Sequence, residues 1–188
     1  MSKSLEGKKV AILVADNFEQ VEMTEPRKAL DEAGATTQIV SPASGEVKGV
    51  HHDKPGDKFK VDIDLKGADA SKFDALLIPG GLMSPDSLRM DKSAVAFVRA
   101  FFDARKPVAA ICHGPWLLAE AGVARGRKLT SWPAIQTDMK NAGAEWSDAE
   151  VLVDNGLVTS RKPDDIPAFN KKMIEEFAEG VHAGQKAA

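Results

Sequence analysis

A single cysteine, Cys112, in a chain of 188 residues excludes any intrachain disulfide and points to a reducing compartment. No apolar run is long enough to span a bilayer, and Met1 to Val14 lacks the pattern of a secretory leader. A cytoplasmic protein without membrane contact is therefore expected. Lysine and arginine number 25 against 28 aspartates and glutamates, and no basic run interleaves with aromatics, so nucleic acid is not an expected partner. Repeats and low-complexity linkers are also missing. What remains is ordinary for a globular chain: 43% hydrophobic, 28% charged, net charge -3. Length and composition predict a single domain over residues 1–188, with small molecules or proteins as partners.

Continuous apolar runs at Val10 to Ala15, Ala75 to Ile78 and Val108 to Ile111 read as strands buried on both faces. Thr36 to Val40 adds a β-branched strand after a helix, and this strand-helix-strand unit predicts a parallel sheet. That helix is expected from about Thr24, with Thr24 as its cap, Pro26 in its first turn and Gly34 as its stop. Gly45 to Asp64 alternates around Gly49, Pro55 and Gly56 and predicts hairpin strands on a sheet edge. Within it, His51-His52-Asp53 reads as a solvated turn and not as a metal cluster. Further helices are expected over Asp91 to Ala104, Gly114 to Ala121, Ala134 to Ala142 and Asp164 to Glu179, with short strands at Glu145-Trp146, Val151 to Val153 and Leu157 to Ser160. Alternating strands and helices imply an open α/β sandwich with helices on both faces of a mostly parallel sheet. In such sheets the reactive crevice lies beyond the carboxyl ends of the strands. Three turns there are candidates: Asp16 to Glu22, Pro79 to Asp86, and Cys112 to Gly114.

Cys112 falls at a strand-to-helix turn, where a side chain stands clear of both elements and unpaired N–H groups favour a thiolate. The expectation is a thiol titrating below the roughly 8.5 of free cysteine, with His113 beside it to hold charge or move a proton. A lone cysteine is more commonly a buried structural residue, so position and neighbour carry the reactive reading. Glu19 and Glu22 lie one helical turn apart, and one of them can face the thiol; spacing alone equally allows a solvated acidic helix start.

Ala15-Asp16-Asn17-Phe18-Glu19-Gln20-Val21-Glu22, Pro79-Gly80-Gly81, Ser84-Pro85-Asp86 and Ala110-Ile111-Cys112-His113-Gly114-Pro115 together resemble the PfpI family. That family lies in the superfamily of the parkinsonism-associated deglycase, with a class I glutamine amidotransferase-like, flavodoxin-like fold. The likeness runs over nearly the whole chain, since Gly126 to Ser131 and Asp138 to Trp146 follow the pattern too. It implies Cys112 as nucleophile, His113 beside it, Glu22 as the carboxylate bonded to the cysteine, Glu19 as a second acidic position, and Asp86 as an acid reaching the site of a neighbouring subunit. A homodimer or higher homo-oligomer with a shared site follows. Two positions depart from the pattern: Asp86 is shorter than the Glu of some members, and Trp132 stands where some have Tyr.

The resemblance implies a stress-response cysteine hydrolase, a deglycase or glyoxalase acting on methylglyoxal or glyoxal adducts of proteins or small molecules. Cys112 would add to carbon, Glu22 and His113 would move protons, and N–H groups at Gly80-Gly81 and His113-Gly114 would hold the oxyanion. Such chemistry needs no metal or organic cofactor. An intracellular cysteine peptidase and an oxidation sensor or chaperone using Cys112 are the alternatives. An amidotransferase triad is disfavoured, because the only histidine after His113 is His182, followed by Ala183-Gly184.

Overall fold

The computed structural model describes residues 4–185. In chain order its elements are β1 (Lys9–Leu13), β2 (Phe18–Glu19), α1 (Val21–Glu32), β3 (Thr36–Ser41), β4 (Glu46–His51), β5 (Lys54–Lys60), β6 (Ile63–Asp64), β7 (Ala75–Ile78), α2 (Met83–Met90) and α3 (Lys92–Asp103). They continue with β8 (Val108–Ile111), α4 (Trp116–Glu120), β9 (Lys128–Leu129), α5 (Gln136–Asn141), β10 (Glu145–Trp146), β11 (Val151–Asp154), β12 (Leu157–Ser160) and α6 (Ile166–Glu179). Seven strands form the central sheet in the order β11-β12-β8-β7-β1-β3-β6. Only the β11–β12 pair is antiparallel, a hairpin closed by Asn155 and Gly156 at positive φ. From β1 the chain first builds outward through β3 and β6, then returns to β7, β8 and β12 on the other side. The reversal at β1 opens a crevice at the carboxyl ends of β1, β7 and β8.

The apolar runs predicted as strands form β1, β7 and β8 because both of their faces are covered. Val10, Ile12, Leu77, Ala109 and Val158 face α1 and α6, where Met23, Leu30, Phe169, Met173 and Phe177 meet them. Ala11, Leu13, Leu76, Ile78, Val108 and Ala110 face the other way, toward Leu88, Phe97, Phe101, Phe102, Leu117 and Met139. The second layer is locked by edge-on rings, Phe73 to Phe97 at 6.2 Å and Phe97 to Phe101 at 5.2 Å. Among the described residues no helix is long and apolar enough to cross a membrane.

Three sequence expectations need correction. Helix α1 begins at Val21, not near Thr24, and Pro26 lies inside it instead of in its first turn. Thr24 does not cap: its N–H and hydroxyl both donate to the Gln20 carbonyl, at 2.9 and 3.1 Å, so it is already one turn inside. The β4–β5 hairpin does form, but not on the edge of the main sheet. It pairs with β2 as a separate three-stranded sheet, through Phe18 to Gly49 and Glu19 to Val50, with Phe18 and Phe59 rings 5.7 Å apart. Finally, the helix after Cys112 is only five residues, Trp116–Glu120, where Gly114 to Ala121 was expected.

Candidate active site

Strand β8 ends at Ile111, and Cys112 follows in the left-handed region at φ 62°. That conformation is uncommon for a residue with a β-carbon, so its surroundings must hold it. The Cys112 N–H donates to the Ser160 carbonyl at 3.1 Å, its carbonyl accepts from Trp132 N–H at 2.8 Å, and Gly114 N–H closes the turn onto the Ile111 carbonyl at 2.9 Å. Gly114 has to be glycine here. A β-carbon on it would lie 2.7 Å from the Ile78 carbonyl and 2.9 Å from that of Ile111.

Because α1 starts early, Glu22 sits in its first turn and is fully buried, with its carboxyl against the Cys112 thiol. Oε2 accepts the Gly80 N–H at 2.9 Å, while Oε1 is buried without a hydrogen-bond partner. A β-carbon at Gly80 would collide with Glu22 Oε2, Cys112 Cβ and the Ile111 carbonyl, so the glycine lets β7 approach both groups. Burial, helped by the charge of nearby Glu19, pushes the Glu22 carboxyl up to about 8.

The expectation of a depressed thiol pKa is contradicted. Burial first, and then the charge of Glu22, push the Cys112 thiol above its ordinary value. The physical reason is that α4 is short and begins at Trp116, leaving little helix dipole at the sulfur, while Cys112 is only 7% exposed. The Gly81 and His113 N–H groups point at the sulfur and oppose this rise without cancelling it.

His113 Nδ1 lies 3.2 Å from Sγ, so sequence neighbours do face one another here. Its ring packs against Trp116 at 5.0 Å and stacks on Trp132 at 6.1 Å with an interplanar angle of 24°. Burial lowers its pKa, which keeps the ring neutral at pH 7. Of the N–H groups expected to hold an oxyanion, Gly80 is engaged by Glu22 and Gly114 by Ile111. The Gly81 and His113 N–H groups face the sulfur, and that of Gly81 also serves the Glu22 carboxyl. Gly81 adopts φ 84°, and a β-carbon there would press on Glu19 N and Asn17 O.

Glu22, Gly81, Cys112 and His113 line a cavity of about 210 Å³ together with Glu19, His52, Leu82, Trp132 and Pro163. A second cleft of about 530 Å³ adjoins it under the β4–β5 hairpin and shares Glu19, His52, Gly81 and Leu82. His52 was legible only as a turn residue. It is one, at φ 59°, yet its backbone N–H donates to Glu19 Oε2 at 3.0 Å and so ties the hairpin to the cavity. Asp86 is exposed in the first turn of α2 and does not line the cavity of its own chain.

A flavodoxin-like sandwich carrying a cysteine at positive φ against a buried glutamate defines a class of α/β proteins organised around one buried thiol. The DJ-1/PfpI family model matches residues 8–176, and the chain belongs to that family. It is 48% identical over 171 residues to General stress protein 18 of Bacillus subtilis (strain 168), covering 89% of this chain and 96% of that one. It is likewise 48% identical over 171 residues to Protein/nucleic acid deglycase 2 of Escherichia coli (strain K12), with coverage of 89% and 96%. Among solved structures it resembles, with TM-score 0.84 and 37% identity, a two-domain protein of Anabaena variabilis containing a DJ-1/ThiJ/PfpI-like and a ferritin-like domain. That match covers 89% of this chain and 47% of the larger one, so the chain spans about half its length.

Proposed function

We propose that this chain is a single-domain, cytoplasmic, stress-response cysteine hydrolase that acts on early methylglyoxal or glyoxal adducts, or on the parent aldehydes. The observation that carries the reading is the Cys112 thiol, fixed at φ 62° against Glu22 in a cavity of about 210 Å³. A space of that size suits an aldehyde-sized head group and disfavours the extended backbone a peptidase must bind. The thiol also sits above its ordinary pKa, which disfavours the oxidation-sensor alternative, since the thiolate is the form that oxidants attack.

Above about pH 8 Glu22 is a carboxylate touching the thiol, placed to take its proton as Sγ attacks a carbonyl carbon. The carbonyl oxygen becomes an alkoxide, within reach of the Gly81 and His113 N–H groups once the sulfur no longer occupies them. Neutral His113, with Nδ1 3.2 Å from the sulfur, is placed to relay the proton taken by Glu22 to that alkoxide, so that the C–S bond forms at the expense of the C=O π bond and the addition closes as a neutral adduct. Every step uses side chains and water, so no metal or organic cofactor is required. Asp86, exposed and absent from the lining of its own cavity, fits a role in the cavity of a second protomer in a homodimer. The test is turnover of methylglyoxal and of a preformed thiol hemithioacetal by wild type and Cys112→Ser. Wild type should consume at least one, and the serine variant neither above background; equal rates would remove the nucleophile assignment.

A further inference from the structure

Away from the cavity, the end of α6 gathers groups that the hydrolase chemistry leaves unused. Glu176 and Glu179 stand three residues apart in its last turn, which carries no basic residue. Gly180 then takes φ 81° and turns the chain back, so that His182 returns to the same two side chains. The surroundings fix it there: the His182 N–H donates to the Arg105 carbonyl at 3.0 Å, and its ring packs on Gly156, where an added β-carbon would lie 2.8 Å from Cδ2. Glu176 is held as firmly, since Oε2 accepts the Gly156 N–H at 2.9 Å. The imidazole and both carboxylates thus offer one atom each within 4.8 Å of one another. These groups are not simply paired among themselves. His182 Nε2 is buried without a hydrogen-bond partner, although Glu176 Oε2 lies 3.3 Å away and Glu179 Oε2 3.8 Å. A buried ring nitrogen ordinarily has a partner, so an unpaired one aimed at two carboxylates marks the place of a ligand.

We propose that Glu176, Glu179 and His182 form a binding site for a divalent cation of the zinc type, with water as the fourth ligand. A cation bonded by nitrogen and oxygen at about 2.0–2.1 Å in a tetrahedron sets its ligand atoms roughly 3.3 Å apart, whereas hydrogen-bonded partners stand at about 2.9 Å. One imidazole with two carboxylates also suits zinc better than magnesium, which keeps to oxygen ligands. Charge agrees. Among the described residues no lysine or arginine pairs with Glu176 or Glu179, and the negative end of the α6 dipole adds to theirs. The Lys8 ammonium comes within 3.7 Å of a β-carbon built on Gly180 but pairs with neither. The site is independent of the hydrolase reading and lies at the far end of the sheet from the thiol. The Gly156 carbonyl accepts the Val108 N–H at 2.9 Å where β8 begins, and Cys112 follows where β8 ends. Its work is to fasten the chain after α6 onto the β11–β12 hairpin, beside Gln185, which accepts from the Arg127 guanidinium at 2.8 Å and donates to the Lys106 carbonyl at 3.1 Å.

The test is zinc titration of chelator-stripped protein, read by competition with a chromogenic chelator and by thermal melting, in wild type, Glu179→Gln, His182→Gln and Cys112→Ser. Wild type and Cys112→Ser should each bind one equivalent, and the Tm of both should rise by roughly 5 to 10 °C at a hundredfold excess of zinc over Kd. Glu179→Gln and His182→Gln should each weaken binding by at least the roughly 10- to 100-fold that loss of an outer-shell partner costs. Glu179 is exposed, so its variant keeps the fold and carries the test should His182→Gln fail to fold. Loss of binding in Cys112→Ser alone, or protection of Cys112 from iodoacetamide by one equivalent of zinc, would place the metal at the thiol and overturn the proposal. So would an unchanged affinity in Glu179→Gln, or an equal melting shift from magnesium, which any pair of neighbouring carboxylates would give.

Discussion

At the scale of single residues, the site is a competition between burial and pairing for one proton. Glu22 and Cys112 are both removed from water and in contact, so ionising both is costly and they titrate as a pair. Glu22 is the member poised near neutral pH, and Glu19 faces the cavity without touching the sulfur. Glu22→Gln should therefore lower kcat for hemithioacetal turnover by about 10²- to 10⁴-fold, the usual worth of a positioned base. Glu19→Gln should act mainly on KM, and the reverse ranking in steady-state kinetics would mean the roles had been exchanged. The residues of this site were legible as types. Cys112 and His113 could be named from their place at a strand-to-helix turn, whereas spacing left Glu19 and Glu22 open and only the family resemblance singled out Glu22. The sign of the thiol shift was not legible. It depends on how deep Cys112 lies and how short α4 is, and both are set by tertiary packing.

At the scale of elements, the continuous apolar runs foretold β1, β7 and β8 well, because a strand covered on both faces writes its burial directly into its composition. Segments whose partners lie far off in sequence were read less well. Phe18–Glu19 looked like a loose turn because two residues carry no periodicity. It becomes a strand only when the hairpin folds onto it, with the Glu19 N–H donating to the Gly80 carbonyl at 3.1 Å. Pro26 misplaced the start of α1, since a proline reads as a first-turn residue unless packing holds the helix through it. The turn after β8 is the least forgiving element. Gly114→Ala would drive a β-carbon into the Ile78 and Ile111 carbonyls, and overpacking of this kind costs about 1–3 kcal/mol. Urea denaturation should register that loss, and Cys112 alkylation should change as its turn shifts; an unchanged midpoint would show that the turn can relax.

At the scale of the whole molecule, a buried acid sets how stability depends on pH. A Glu22 carboxyl raised from 4.5 to about 8 keeps its proton in the folded state while the unfolded chain loses its own. Wild-type stability should therefore fall as pH rises from about 4.5 to 8, by up to about 3 kcal/mol at pH 7 from this group alone. Glu22→Gln should melt above wild type at pH 8, with the gap closing near pH 4; a constant gap would mean the carboxyl is not the cause. Assembly has its own test. If Asp86 completes a partner's cavity, co-refolded Cys112→Ala and Asp86→Ala protomers should regain turnover that neither homodimer has, because each mixed dimer restores one whole site. No recovery would return Asp86 to its own chain. The coupling of Cys112 to Glu22 underlies the whole account, and the pH profile of iodoacetamide alkylation at Cys112, in wild type and Glu22→Gln, tests it most directly. Wild type should show a rise with an inflection at about pH 8, and Glu22→Gln should lose that inflection and react only at higher pH, as a buried thiol without a base. Identical profiles, or a wild-type rate already at its plateau by about pH 6, well below a free thiol, would contradict it.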